Sequence, residues 1–223
     1  MSQGSAIGVI FDMDGTLMDN NPFHFQAWKI FCAGIGKELS LEEYQHQVSG
    51  KINLEILRYL FGSQLSRDQA HALGARKEAL YRETYLPHIR PLPGLMELLQ
   101  LLRENQVPTA IATSALPDNI RFAMDLLGLD PYFDQIVDQT AVRRGKPDPE
   151  IFLTAARLLG LAPDRCAVFE DSLSGIRGAV AAGMPAVGIT TSLSAAALRS
   201  AGATLCLENY EGLTLDFFRK LLP

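Results

Sequence analysis

Three carboxylates fall within eight positions of the stretch FDMDGTLMD, directly after an apolar run. Asp12 and Asp14 are separated by one residue, and residues two apart on an extended chain face the same way. Their mutual repulsion is relieved if a divalent cation binds beside them or if one carboxyl holds a proton. Gly15 permits a tight turn, and with Thr16 it frees backbone N–H groups to face an anion.

A second acidic pair, Glu170 and Asp171, ends another apolar run. Four carboxylates at two strand ends suit a hard cation, and Mg²⁺ fits a shell of carboxylates and water. Two further polar groups follow predicted strands: Thr113 with Ser114, and Lys146 in GKPDP. Hydroxyls and an ammonium suit the oxygens of a phosphate. Each feature alone is typical of a solvated turn or a helix cap, but their common place at strand ends favours a catalytic site.

The elements that must position these groups alternate between strands and helices. Runs that are apolar throughout predict buried parallel strands at Ile7–Phe11, Pro108–Thr113, Cys166–Glu170, Pro185–Thr190 and, more weakly, Gln135–Val137. Amphipathic stretches predict helices at Gly94–Asn105, Pro117–Gly128 and Pro149–Gly160. In the last of these, Asp148 is expected to cap the helix, Pro149 to be its first residue and Gly160 to end it. The alternation predicts an α/β fold, a Rossmann-like doubly wound parallel sheet that binds ligands at the carboxyl ends of its strands.

One region, from about Leu17 to His88, shows only helical patterns. Its apolar stripes comprise Phe25, Trp28, Cys32 and Ile35, then Leu54, Leu57 and Leu60–Phe61. The proline-rich stretch Pro87–Gly94 is typical of a stiff connector. We therefore predict a catalytic core of residues 1–17 and 88–223 and an inserted all-helical cap of residues 18–87.

Composition narrows the classes of partner. The 223 residues carry a net charge of −5 with a pI near 5.4, which argues against nucleic acid or an anionic membrane as partner. No apolar run approaches the ~20 residues that span a bilayer. A secretory signal would begin with basic residues, and none precedes Lys29. The three cysteines are widely spaced, which favours reduced thiols in a cytoplasm. We expect a cytoplasmic monomer that acts on a small molecule.

The ordered motifs resemble those of the haloacid dehalogenase superfamily of phosphohydrolases and phosphomutases, over the whole chain. The resemblance rests on Asp12-x-Asp14-Gly15-Thr16, then Thr113, then Lys146, then Glu170-Asp171. The stretches FHFQAW (Phe23–Trp28), GKPDPEIF and FEDSLSGI are similar to the group that contains beta-phosphoglucomutases and small sugar-phosphate phosphatases with helical caps.

The resemblance implies a role for each motif. Asp12 would be the nucleophile that forms an aspartyl-phosphate, and Asp14 the general acid and base. Mg²⁺ would be held by Asp12, Glu170, Asp171 and the backbone carbonyl of Asp14. Thr113 and Lys146 would hold the transferring phosphoryl group, with Gly15, Thr16 and Ser114 contributing to substrate binding.

The resemblance also implies that the cap selects the substrate. The loop Ser49–Asn53 is expected to supply Gly50 for flexibility and Lys51 and Asn53 for polar contacts, although Lys51 could be a plain solvated lysine. His24 could align the acid/base aspartate or be a partly buried helix histidine; both interpretations stay open.

Two departures separate the chain from the mutases that it resembles. Those enzymes hold a second phosphate with a cap-loop arginine and a Ser-Lys-Asn group after the second motif. This chain has Asn53 in the loop and Ala115–Pro117 after the motif, with no basic residue before Arg121. We therefore predict a Mg²⁺-dependent phosphatase acting on a small phosphate monoester, such as a sugar phosphate.

Three alternatives remain. The first is a phosphomutase acting on a hexose 1-phosphate. The second is a signalling module that accepts phosphate on aspartate, against which Asp14 and the large cap argue. The third is a catalytically silent binding protein, against which the complete set of catalytic residue types argues.

Overall fold

The computed structural model describes residues 7–48 and 51–222. The described chain divides into two compact units. One comprises the residues up to Asp19 and from Arg90 onward, and the other comprises those of Asn20–Ile89. We call them the sheet unit and the helical unit. The transitions lie at Asp19 and Ile89, slightly later than the boundaries after residues 17 and 87 placed by the sequence.

The helical unit is built from α1 (Asn21–Ala33), α2 (Leu41–Glu43), a π-helical turn (Tyr44–Val48), α3 (Asn53–Phe61) and α4 (Arg67–Tyr85). Its apolar core includes Trp28, Phe31, Cys32, Ile56, Leu57 and Leu60. Four of these lie on the predicted stripes. Phe61, also placed on a stripe, is the last residue of α3 and is 41% exposed.

The sheet unit contains six strands in its described residues: β1 (Gly8–Phe11), β2 (Thr109–Ala112), β3 (Gln135–Val137), β4 (Cys166–Glu170), β5 (Ala186–Ile189) and β6 (Leu205–Leu207). All are parallel, in the order β3-β2-β1-β4-β5-β6. The predicted doubly wound α/β sheet is confirmed, and β6 is the strand that the sequence analysis missed.

The strand order reverses beside β1, and this reversal positions the site. The chain builds β1, β2 and β3 outward on one side, then returns to place β4 on the other side of β1. Phe11, the last residue of β1, pairs with Phe169 of β4. Ligands of open parallel sheets bind at such a switch point, at the carboxyl ends of the strands. Asp12 and Glu170 are therefore neighbours because of the topology.

The helices of the sheet unit are α5 (Leu95–Glu104), α6 (Pro117–Leu127), α7 (Glu150–Leu158), α8 (Leu173–Ala181), α9 (Ala195–Ser200) and α10 (Leu215–Leu221). Helix α7 begins at Glu150, one residue later than predicted, and Pro149 lies at the cap position. Asp148 still serves the helix start, because its carboxylate accepts the Glu150 N–H at 3.1 Å. Among the described residues, no helix combines the length and apolarity needed to cross a bilayer.

Candidate active site

Asp12 follows β1 and is buried. Its backbone N–H donates to the Phe169 carbonyl at 2.9 Å, so the pairing with β4 continues one residue beyond the strand. Its side-chain Oδ1 accepts a hydrogen bond from Lys146 Nζ at 2.5 Å. Burial raises the pKa of Asp12, Glu170 adds to the rise and Lys146 opposes it, and together they bring the pKa to about 7. An ionised Asp12 therefore needs more positive charge than Lys146 alone supplies.

Lys146 is held between two acidic strand ends. Besides Asp12, its ammonium donates to Glu170 Oε2 at 2.8 Å and to the Ala112 carbonyl at 3.0 Å, which accounts for its three N–H donors. Burial alone lowers the pKa of Lys146, but the Asp12 and Glu170 carboxylates raise it above its ordinary value. Lys146 is therefore a fixed cation that orients Asp12.

Glu170 is locked on both of its oxygens. Oε2 faces Lys146, and Oε1 accepts the Ser172 N–H at 3.0 Å and the Ser172 hydroxyl at 2.7 Å. The side chain lies against Gly175 in the first turn of α8, where a Cβ would come within 1.9 Å of Glu170 Cδ. Gly175 is therefore required for this carboxylate to occupy its place.

This contact yields a stability prediction. Gly175→Ala is expected to destabilise the protein by about 3 kcal/mol, because Glu170 or α8 must shift, and to lower the melting temperature by roughly 6–12 °C. Gly145→Ala is the control, since a Cβ there meets no atom within 4 Å. The melting temperatures of both variants are measured by thermal unfolding. An unchanged melting temperature for Gly175→Ala would show that Glu170 can leave this position without loss of stability.

A cluster of three buried carboxylates forms the candidate metal site. Asp12, Glu170 and Asp171 can each offer an oxygen within 4.8 Å of the others. Burial raises the pKa of Asp171 well above its ordinary value, with Glu170 and Asp12 adding to the rise. Three carboxylates face the single ammonium of Lys146, so the cluster carries an excess of negative charge that a divalent cation would neutralise. An all-oxygen donor set fits Mg²⁺.

The turn after β1 holds the second aspartate. Gly15 has a φ of +75°, which favours glycine, and Asp14 before it is half-buried. The N–H of Thr16 donates to the Met13 carbonyl at 3.2 Å, and the Thr16 carbonyl accepts the Tyr210 hydroxyl at 2.9 Å. The Thr16 hydroxyl is buried and has no hydrogen-bond partner among the described residues. These contacts make Thr16 a support of the turn, and its predicted part in substrate binding stays a prediction.

Thr113 and Ser114 follow β2, next to β1. Thr113 is buried, and its hydroxyl oxygen accepts the Ala115 N–H at 3.0 Å. Accepting that bond leaves the hydroxyl hydrogen for another acceptor, such as a phosphate oxygen. Ser114 is exposed.

The predicted cap residues belong to the helical unit. Asn53 donates to Glu78 Oε1 at 2.8 Å, and Glu78 also pairs with Lys77 at 3.0 Å. His24 Nδ1 lies 3.0 Å from Lys77 Nζ, and its ring stacks on Tyr81 with centroids 3.8 Å apart. Lys51 is exposed, with Nζ 3.4 Å from the His46 carbonyl and from Gln47 Oε1. Gly50 lies outside the described residues.

The structure adds residues that the sequence analysis did not select. In the sheet unit, Thr191 donates to the Gly15 carbonyl and Ser192 donates to Asp171 Oδ2. Both residues follow β5, and this position after a predicted strand is the sequence signal that could have marked them as candidates. Lys77 and Glu78 of α4 are buried, and nothing in their helical pattern indicated that.

Comparison with known proteins agrees with this arrangement. A family model described as a hydrolase, haloacid dehalogenase-like hydrolase, matches residues 8–183. The chain belongs to the haloacid dehalogenase-like hydrolase family. The resemblance noted from the motifs is thereby confirmed, and so is the prediction of an enzyme of haloacid dehalogenase-like type.

The similar proteins fall in the predicted group of this family. A phosphorylated carbohydrates phosphatase from Thermotoga maritima is 32% identical over 93% of this chain and 96% of its own length. A beta-phosphoglucomutase from Bacillus subtilis is 31% identical over 95% of this chain and 93% of its own. A solved structure of a HAD hydrolase, family IA, variant 3, from Entamoeba histolytica has a TM-score of 0.90 at 30% identity, covering 96% of this chain and 98% of that one.

Proposed function

We propose that the protein is a Mg²⁺-dependent phosphatase that hydrolyses a small phosphorylated carbohydrate through an aspartyl-phosphate. The observation that carries the proposal is the geometry at the β1–β4 switch point. A buried aspartate held by Lys146 stands there among carboxylates that can bind a metal, with a second aspartate two residues further on.

In this proposal two aspartates carry the bond changes. An Asp12 carboxylate oxygen attacks phosphorus, the ester P–O bond breaks, and Asp14 gives its proton to the departing alkoxide. Asp14 then takes a proton from a water molecule, whose oxygen attacks phosphorus, so that inorganic phosphate leaves and Asp12 is regenerated. Lys146 keeps Asp12 oriented, and Thr113 donates to a phosphoryl oxygen.

Mg²⁺ would be held by Asp12 and Asp171, with Glu170 beside them, and the carbonyl of Asp14 stays a predicted ligand. When bound, it supplies positive charge that offsets the repulsion between the anionic substrate and the anionic nucleophile. Phosphoryl transfer depends mostly on such positioning and charge compensation.

The choice of hydrolysis over isomerisation rests on the missing cations. Asn53 carries no charge and is engaged by Glu78. The first basic residue after Thr113 is Arg121, which is exposed and paired with Asp125 at 2.7 Å and Asp130 at 2.6 Å. A bisphosphate intermediate would therefore lack these two contacts, for which Lys51 of the same loop could substitute only in part. The beta-phosphoglucomutase among the similar proteins keeps a phosphomutase as the second candidate.

The test is phosphate release from p-nitrophenyl phosphate with and without Mg²⁺. Release in Mg²⁺ is expected to fall by about 100-fold or more after chelation. A panel of sugar phosphates, including a hexose 1-phosphate with its bisphosphate, then compares free phosphate with isomerised product. Isomerisation in excess of phosphate release would favour the mutase, and the absence of both phosphate release and isomerised product would contradict both candidates.

A further inference from the structure

Two consecutive hydroxyl residues after β5 reach two separate motifs of the candidate site. Thr191 Oγ1 donates to the carbonyl of Gly15, and Ser192 Oγ donates to Oδ2 of Asp171. Asp171 is buried, whereas Ser192 is exposed. An exposed loop residue thus donates a hydrogen bond to a buried carboxylate of the candidate metal site.

The segment that carries these hydroxyls is fixed at both ends. Thr190, just before it, donates its backbone N–H to the Leu207 carbonyl at 2.9 Å, at the end of β6. Ser194, just after it, caps α9 by accepting the Ala197 N–H at 3.3 Å. A segment held at each end keeps its hydroxyls in place at little further entropic cost.

The bond from Ser192 has a defined consequence for Asp171. It engages one carboxylate oxygen and so restricts the rotation of the carboxylate plane, which sets the direction in which Asp171 faces a ligand. Partners that orient ligating side chains commonly change metal affinity by 10–100-fold when they are removed.

Resting on the proposed function, we propose that Ser192 is a positioning residue that orients Asp171 for Mg²⁺. In this proposal Ser192 acts through the Asp171 carboxylate to which it donates a hydrogen bond. Its neighbour Thr191 holds the turn after β1 instead, so the two adjacent hydroxyls serve different parts of the site.

The experiment measures Mg²⁺ binding by calorimetry on the full chain without substrate. Ser192→Ala is expected to bind Mg²⁺ about 10–100-fold more weakly than wild type. Ser192→Thr keeps the hydroxyl and is expected to restore most of the affinity. Ser194→Ala, the same chemical change in the same segment, is the control: it removes a helix cap, lowering the melting temperature, but leaves Mg²⁺ affinity unchanged. Because Ser192 is exposed, its variants are expected to fold.

Turnover gives an independent readout. In Ser192→Ala the Mg²⁺ concentration for half-maximal activity should rise by the same factor as the dissociation constant, and kcat at saturating Mg²⁺ should fall less. Mg²⁺ affinity within twofold of wild type in Ser192→Ala, with normal wild-type turnover, overturns this inference and leaves the phosphatase proposal standing. Absence of both Mg²⁺ binding and phosphate release in wild type overturns both.

Discussion

Replacing Asp12 by asparagine is expected to lower the rate of phosphate release by at least about 10⁴-fold, because an amide is too weak a nucleophile to attack phosphorus. Asparagine retains the size of the side chain and an oxygen that can accept the hydrogen bond from Lys146, which is 2.5 Å long in the wild type. The fold should therefore persist. Rapid quenching and mass spectrometry should find phosphate on the peptide that contains Asp12 in wild type and none in Asp12→Asn.

Asp216→Asn is the matched control, since it makes the same change at an exposed residue of α10 whose carboxylate pairs with Arg219 at 2.8 Å. Its turnover should equal that of wild type. Asp12→Asn turnover within about tenfold of wild type would refute the assignment of Asp12 as nucleophile.

The second large effect is expected for Asp14→Asn, which removes the proposed proton donor. General acid–base catalysis contributes about 10²–10⁴-fold, and the loss should depend on the leaving group. A sugar alkoxide needs the proton, whereas nitrophenolate departs readily as an anion. The first step on p-nitrophenyl phosphate, followed as a burst of nitrophenolate, should therefore be slowed less than the first step on a sugar phosphate.

Asp12→Asn supplies the contrast, because loss of the nucleophile should affect both substrates alike. The side chain of Asp14 is also outside the cluster of three converging carboxylates, so Asp14→Asn should retain Mg²⁺ binding. Equal slowing of the first step on both substrates would contradict the assignment of Asp14 as proton donor.

Much of the sheet was predictable because its central strands are buried on both faces. Such strands are apolar along nearly their whole length, as β1, β2, β4 and β5 are, with Thr109 and Glu170 as polar residues at strand ends. The edge strand β6 is also apolar, but it spans only the three half-buried residues Leu205–Leu207, and a run this short does not distinguish a strand from other structures.

The site was predictable where strand ends could be located. Asp12, Lys146, Glu170 and Asp171 do come together, because a parallel sheet gathers its carboxyl ends at one edge. The hydrogen bonds that orient these side chains were harder to predict from the sequence. Ser192 follows a predicted strand, but its bond to Asp171 depends on the direction of a loop, which sequence patterns do not encode.

The helical unit contains buried charged residues whose burial could not be predicted from the sequence. Lys77 and Glu78 are adjacent charged residues in α4, and such residues are usually solvated. Here both are buried, and they form an ion pair in which Lys77 Nζ lies 3.0 Å from Glu78 Oε1. Only tertiary packing places a charged pair inside, so no local pattern could have revealed it.

The chain departs from the sheet unit and returns to it at one spot, since the Leu92 N–H donates to the Leu17 carbonyl at 2.9 Å. An insertion whose ends meet in this way can be lengthened, shortened or exchanged without displacing a strand. Evolution can therefore remodel the intervening residues while the acids that follow β1 and β4 are inherited intact. Modularity of this kind separates the acidic cluster from the stretch of the gene that is free to vary.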